Sequence, residues 1–151
     1  MRGLMPLIAT GLLAAPAQAA DGHIHDILRD RCLAPMEAIQ PPDTSGLEQS
    51  TDLPGWWTKG DAAAAYEIGD GTHLVVTTGQ PLICAVGSTA SQSVAQAFVD
   101  WHSIQDPNTP YIRLNPTTWE SFEWREPRLQ LGLGRTEAGA FVYVHETDLE
   151  A

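Results

Sequence analysis

The stretch from Gly71 to Ile104 limits the fold more than any other. It reads GTHLVVTT, then Gly79-Gln80, then PLICAVG, then STASQSVAQAFVDWHSI. The two apolar pieces have strand length, and the glycine-led pair between them reads as a turn. The runs Leu74-Val75-Val76 and Leu82-Ile83 imply burial on both faces, and so a central place in a sheet. In the last piece Val94, Ala97, Phe98, Trp101 and Ile104 recur at helical spacing and make one apolar stripe. Thr89 and Gln92 match a capping box at its start, and Asp106-Pro107 ends it. A hairpin followed by a helix with one apolar face predicts a helix laid on a sheet.

The flanks read as elements that cover or extend this unit. Upstream, Ile24, Ile27, Leu28 and Cys32 share one face of a helix predicted over residues 22–33. Pro35 ends it or opens one further turn to Ile39. Residues 40–55 hold Pro41, Pro42, Gly46 and Pro54 and little apolar periodicity, which predicts a long loop over 40–59 ending in Trp56-Trp57-Thr58-Lys59. A strand is expected over 63–68, turning at Gly69-Asp70-Gly71 into the next. Downstream, strands are expected over 111–114, 119–125, 128–133 and 140–146. In the third, Leu129, Leu131 and Leu133 alternate; in the last, Val142 and Val144 alternate against Phe141, Tyr143 and His145. Short turns pair successive strands antiparallel. The predicted fold is α+β: a curved antiparallel sheet of about six strands packed on one main helix, Ala90–Ile104. An N-terminal helix is tied to that sheet by a disulfide.

The first residues carry an export signature. Arg2, the apolar run from Leu4 to Ala15, Pro16 and the small-x-small site Ala17-Gln18-Ala19 predict a signal peptide over 1–19 and a single domain over 20–151. The apolar run is short for a membrane span, and no stop-transfer segment follows it. The expected location is the periplasm or the cell exterior. Two cysteines in an oxidising compartment most simply form one bridge, Cys32 to Cys84. Without Arg2 the chain has seven basic residues against nineteen acids, a formal net charge of −12. That argues against a phosphate backbone as the partner and disfavours anionic membranes. Basic proteins or cations fit better.

Residues that could carry chemistry are scattered. His23 and His25 near the mature amino terminus are the candidates for a metal, but neighbouring helical positions do not converge on one ion. His73, His102 and His145 sit in separate elements, and His73 could meet His145 only if their strands were neighbours. The serines lack a GxSxG or SxxK context. Gly132-x-Gly134 lacks the third glycine and the following helix of a dinucleotide site. Trp56 and Trp57 stand side by side in a loop, where they either present aromatic surface to a partner or plug the open end of the sheet. The sequence therefore predicts an exported, acidic, non-catalytic protein without cofactor. It would bind a protein partner through Trp56, Trp57 and Lys59. The alternatives are a small hydrolase with a histidine base and a metal-handling protein using His23 and His25.

Overall fold

Alternating apolar residues pair here into one antiparallel sheet of eight strands. The computed structural model describes residues 19–104, 111–121 and 126–147. The predicted signal segment, but for Ala19, lies outside them. The strands are β1 (Glu48–Gln49), β2 (Ala63–Gly69), β3 (Thr72–Thr77), β4 (Ile83–Ser88), β5 (Tyr111–Asn115), β6 (Thr118–Ser121), β7 (Arg128–Thr136) and β8 (Gly139–Thr147). Their order across the sheet is β1-β2-β3-β4-β8-β7-β6-β5. The fold class is α+β, as expected, but the sheet is larger than the predicted six strands. β1 is two residues inside the predicted loop, too short for any alternating pattern. β5 and β6 stand at the far edge and begin within a residue of the strands expected over 111–114 and 119–125, while residues 122–125 lie outside the described residues.

The order explains the helix. The chain leaves β4, runs through α3 (Ser91–Ile104), and re-enters the sheet at its far edge in β5. The meander β5-β6-β7-β8 then returns to pair β8 with β4. From β4 to β5 is four strand spacings, roughly 19 Å. Fourteen helical residues span about 21 Å. The helix is therefore long enough to carry the chain across the sheet. Val94, Ala97, Phe98 and Trp101 of its predicted stripe are buried, and the side chain of Ile104 lies outside the described residues. The hydroxyl that accepts a backbone N–H at its start is Ser88 Oγ, on Ala90 at 3.1 Å, and not that of Thr89.

The amino-terminal helix is also more than the single helix predicted over 22–33. It runs as α1 (Ala19–Ile27), a π-helical stretch (Leu28–Leu33) and α2 (Ala34–Glu37), with Pro35 in the first turn of α2. Ile24, Ile27, Leu28, Cys32 and Met36 enter the core shared with α3 and the sheet. Cys32 and Cys84 are joined by the predicted disulfide, with their Cα atoms 5.5 Å apart. Among the described residues no helix is long and apolar enough to cross a membrane.

α2 ends in a Schellman turn: Gln40 N–H donates to Pro35 O at 2.8 Å and Ile39 N–H to Met36 O at 3.1 Å. The left-handed position of that turn belongs by habit to glycine, yet Ile39 holds it at φ 57°. A β-branched side chain is strained there. Ile39 is also 68% exposed, so little packing offsets the strain. Ile39→Gly should raise unfolding stability by about 1 kcal/mol. Urea denaturation reads this directly, and an unchanged or lowered midpoint counts against the argument.

The sheet has two covered faces. Helices and the disulfide lie on one, over Leu74, Val86, Leu129, Leu131, Val142 and Val144. On the other face Trp56 and Trp57 fold over Ala65, Val75, Ile83, Ala85 and Phe141. The rings on that face lie over glycines of neighbouring strands. Trp56 covers Gly87, Phe141 covers Gly134 across β7–β8, and Tyr143 covers Gly132. A Cβ at Gly87 would stand 2.6 Å from the Trp56 ring. Gly132 and Gly134, which carry no nucleotide signature, are seats for aromatic rings.

Candidate functional site

The residues predicted to bind a partner are mostly occupied in packing. Trp56 is 1% exposed and Trp57 9%. Trp56 stacks on Phe141 with centroids 5.5 Å apart and planes 25° apart. Trp57 donates its indole N–H to Gly60 O at 2.6 Å. The expectation that this pair offers aromatic surface to a partner is corrected: the indoles are the lid of the sheet's second face. Adjacent positions in an irregular loop carry no fixed alternation, so both rings can turn the same way. Lys59 stands with its ammonium 4.4 Å from the Tyr143 ring centroid, a cation–π contact. Burial pushes the Lys59 ammonium below its ordinary value and the Tyr143 phenol above its own. A side-chain hydrogen bond with Thr118 opposes part of the second shift.

The histidines stay apart. His23 is exposed, whereas His25 is buried with Nδ1 3.6 Å from Asp26 Oδ1. His73 on β3 and His145 on β8 are separated by β4 and lie at different levels of the sheet. The side chain of His102 lies outside the described residues. Two buried serines serve the backbone: Ser121 Oγ accepts Leu129 N–H at 2.8 Å, and Ser88 Oγ accepts Ala90 N–H. Among the described residues no three His, Cys, Asp or Glu side chains gather to hold a metal ion.

A different place has the shape of a site. A groove of about 950 Å³ runs between α3 and the strands beyond it. One wall is the amino-terminal half of α3, which offers Ser91, Gln92, Ser93 and Gln96. The opposite wall is the β5–β6 turn, with Arg113, Pro116 and Thr117. Leu133 and Arg135 enter from β7. Phe98 is buried beneath the groove, while Val99 is 53% exposed in it. The apolar stripe of α3 fixes this placement. Once Val94, Ala97 and Phe98 face the sheet, Ser91, Gln92 and Gln96 turn to the groove side.

The groove lining carries two arginines in an acidic chain. None of its lining residues is acidic. The first turn of α3 carries no acid either, so the positive end of the helix dipole is left uncompensated. Arg113 is held by the turn, with Nε donating to Asn115 O at 3.2 Å and Nη2 to Pro116 O at 3.4 Å. Its guanidinium lies 6.0 Å from the Trp119 ring centroid. Arg135 is exposed. Among the described residues neither arginine is paired with a carboxylate. Arg29, Arg31 and Arg128 each have one. Two arginines, neutral donors and acceptors, and an apolar strip together can hold an anionic group beside an apolar one.

Sequence reasoning passed over these residues, though a signal was present. No charged residue occurs between Asp70 and Asp100, and Arg113 is the one charged residue between Asp106 and Glu120. In a chain with nineteen acids, stretches that exclude acid mark where a positive surface can form. The helix stripe and the sheet order then bring those stretches together. The chain matches no family model, no curated protein and no solved structure.

Proposed function

We propose that this chain is an exported, non-catalytic binding protein that holds an anionic group of its ligand in the groove between α3 and the β5–β6 turn. The observation that carries this reading is the pair Arg113 and Arg135. Both line a groove without acids, and neither has a carboxylate partner among the described residues, although acids outnumber bases by more than two to one in the chain. Unpaired arginines in an acidic protein are available for a ligand carboxylate, which they grip in a planar, two-point fashion. The buried disulfide suits an oxidising compartment and so supports export.

A matched pair of probes tests the reading. Phenylacetate and phenethylamine share an apolar ring and differ in the sign of their charge. In a titration of ¹⁵N-labelled protein at pH 7, phenylacetate should shift the amides of Ser91–Gln96, Arg113, Leu114, Asn115, Thr117 and Arg135, and phenethylamine should not. The double variant R113Q/R135Q should lose the response while keeping its thermal midpoint. Equal responses to both probes, or shifts placed elsewhere, would remove the groove as an anion site.

A further inference from the structure

We propose that the natural occupant of this groove is an extended acidic segment of a partner protein, carrying two carboxylates that meet Arg113 and Arg135 separately. This rests on the anion-binding reading above and adds what the anion belongs to.

The spacing of the two arginines favours two anionic groups. Arg113 pairs with Trp119, and Trp119 pairs with Leu131. Arg135 lies four residues beyond Leu131 on β7, two strands away from Arg113. The two Cα atoms are therefore roughly 17 Å apart, at about 4.8 Å per strand and 3.4 Å per residue. The Arg113 guanidinium is already tied back to the carbonyls of Asn115 and Pro116. One carboxylate engages both arginines only if Arg135 extends across the apolar strip to reach it. A ligand with two anionic groups meets each arginine where it stands. An extended chain places residues i and i+4 about 13 Å apart, which fits that span.

The chemistry between the arginines suits a peptide. Ser91, Gln92 and Ser93 offer donors and acceptors alike, while Gln96 already donates to Asp100 Oδ1 at 2.8 Å and Thr117 to Asn115 Oδ1 at 3.2 Å. A peptide backbone needs both. A small dianion needs donors alone. Val99, exposed in the groove, offers a seat for one apolar side chain between the two acids. The groove is also open rather than enclosed. It would leave a small molecule largely in water, whereas good small-molecule sites bury most of their ligand. Nucleic acid would meet the full net charge of −11 along its length. A short protein segment places only its own two charges in a groove whose lining residues include no acid. Its long-range repulsion by the chain is screened at physiological salt, where the Debye length is about 8 Å.

Three acetylated, amidated peptides separate the possibilities in calorimetric titrations at 150 mM salt: Glu-Gly-Leu-Gly-Glu, Glu-Gly-Leu-Gly-Gln and Lys-Gly-Leu-Gly-Lys. The two-acid peptide should bind about fivefold more tightly than the one-acid peptide, in keeping with one additional exposed ion pair. R113Q and R135Q should each bring the two-acid peptide down to the one-acid level, with both variants unfolding at the wild-type temperature. Equal binding of the first two peptides would overturn the two-point segment while leaving the anion site standing. Binding of the lysine peptide as tightly as the glutamate peptide would overturn both, as would the failure of the glutamate peptides and phenylacetate alike.

Discussion

Trp56→Ala should lower unfolding stability by about 4 kcal/mol, within the usual cost of truncating a buried large aromatic residue. Trp56 is 1% exposed, lies against Gly87 and stacks on Phe141. Its removal does more than leave a hole. Trp56 belongs to a small cluster with Val75, Ile83, Ala85 and Phe141, to which no helix among the described residues contributes. Water would reach the back of the central strands. Trp56→Phe should cost roughly half as much. It keeps an aromatic ring on Phe141, and the Trp56 indole N–H has no hydrogen-bond partner to lose. Trp57→Ala should fall between them, since Trp57 sits near the rim but gives up its bond to Gly60. Urea midpoints order the three. The glycine seat offers an independent check. Gly87→Ala pushes a methyl group into the indole and should cost about 2 kcal/mol by overpacking. Combined with Trp56→Ala, that cost should largely vanish, because the clash has gone. Full additivity of the two substitutions would mean that Trp56 does not lie on Gly87 in solution.

The same pair of tryptophans marks the limit of what the chain discloses before it folds. Gly71–Ile104 was legible because its periods are long and clean: two apolar strands and one helical stripe leave few arrangements. Cys32 and Cys84 were legible because two thiols in a chain expected to be exported have one simple fate, and because each falls on the apolar side of its element. Residues 40–59 have no period, so nothing local says whether Trp56 faces water or a sheet. That is settled by Gly87, Val75 and Phe141, which lie far along the chain and leave a flat apolar face needing cover. The groove was hidden for a similar reason. Arg113 and Arg135 are ordinary in sequence. They become a pair only when β5, β6 and β7 are set side by side and α3 is laid across the sheet from β4. Charge reads locally, while a site is a property of order.

Replacing both cysteines by alanine should lower stability by about 4 kcal/mol. Cys32 and Cys84 are 52 residues apart in sequence, and closing a loop of that length removes roughly this much from the unfolded chain in the loop-entropy account. The loop encloses β1, β2, β3 and the whole Trp56–Trp57 cover. Freed from the bridge, the unfolded chain gains its entropy over the same stretch that closes the second face of the sheet. The native state loses less. Cys32 and Cys84 are both fully buried in the helix-side core, among Leu28, Met36, Leu74 and Val86, and those contacts survive as packing. Two alanines should therefore give a protein that still folds, with a lower urea midpoint and a wild-type groove. Burial also governs how the bond can be broken. Neither sulfur is reachable in the folded protein, so a thiol reductant has to wait for opening of the amino-terminal helix or for global unfolding. Reduction followed by mass spectrometry should be slow in native buffer and should accelerate steeply across the urea transition. Rapid reduction without urea would instead mean that the helix run from α1 to α2 lifts off β4 at little cost. In that case the disulfide would be what keeps the helix in place, and the double alanine variant would lose the helix-side core together with the bridge.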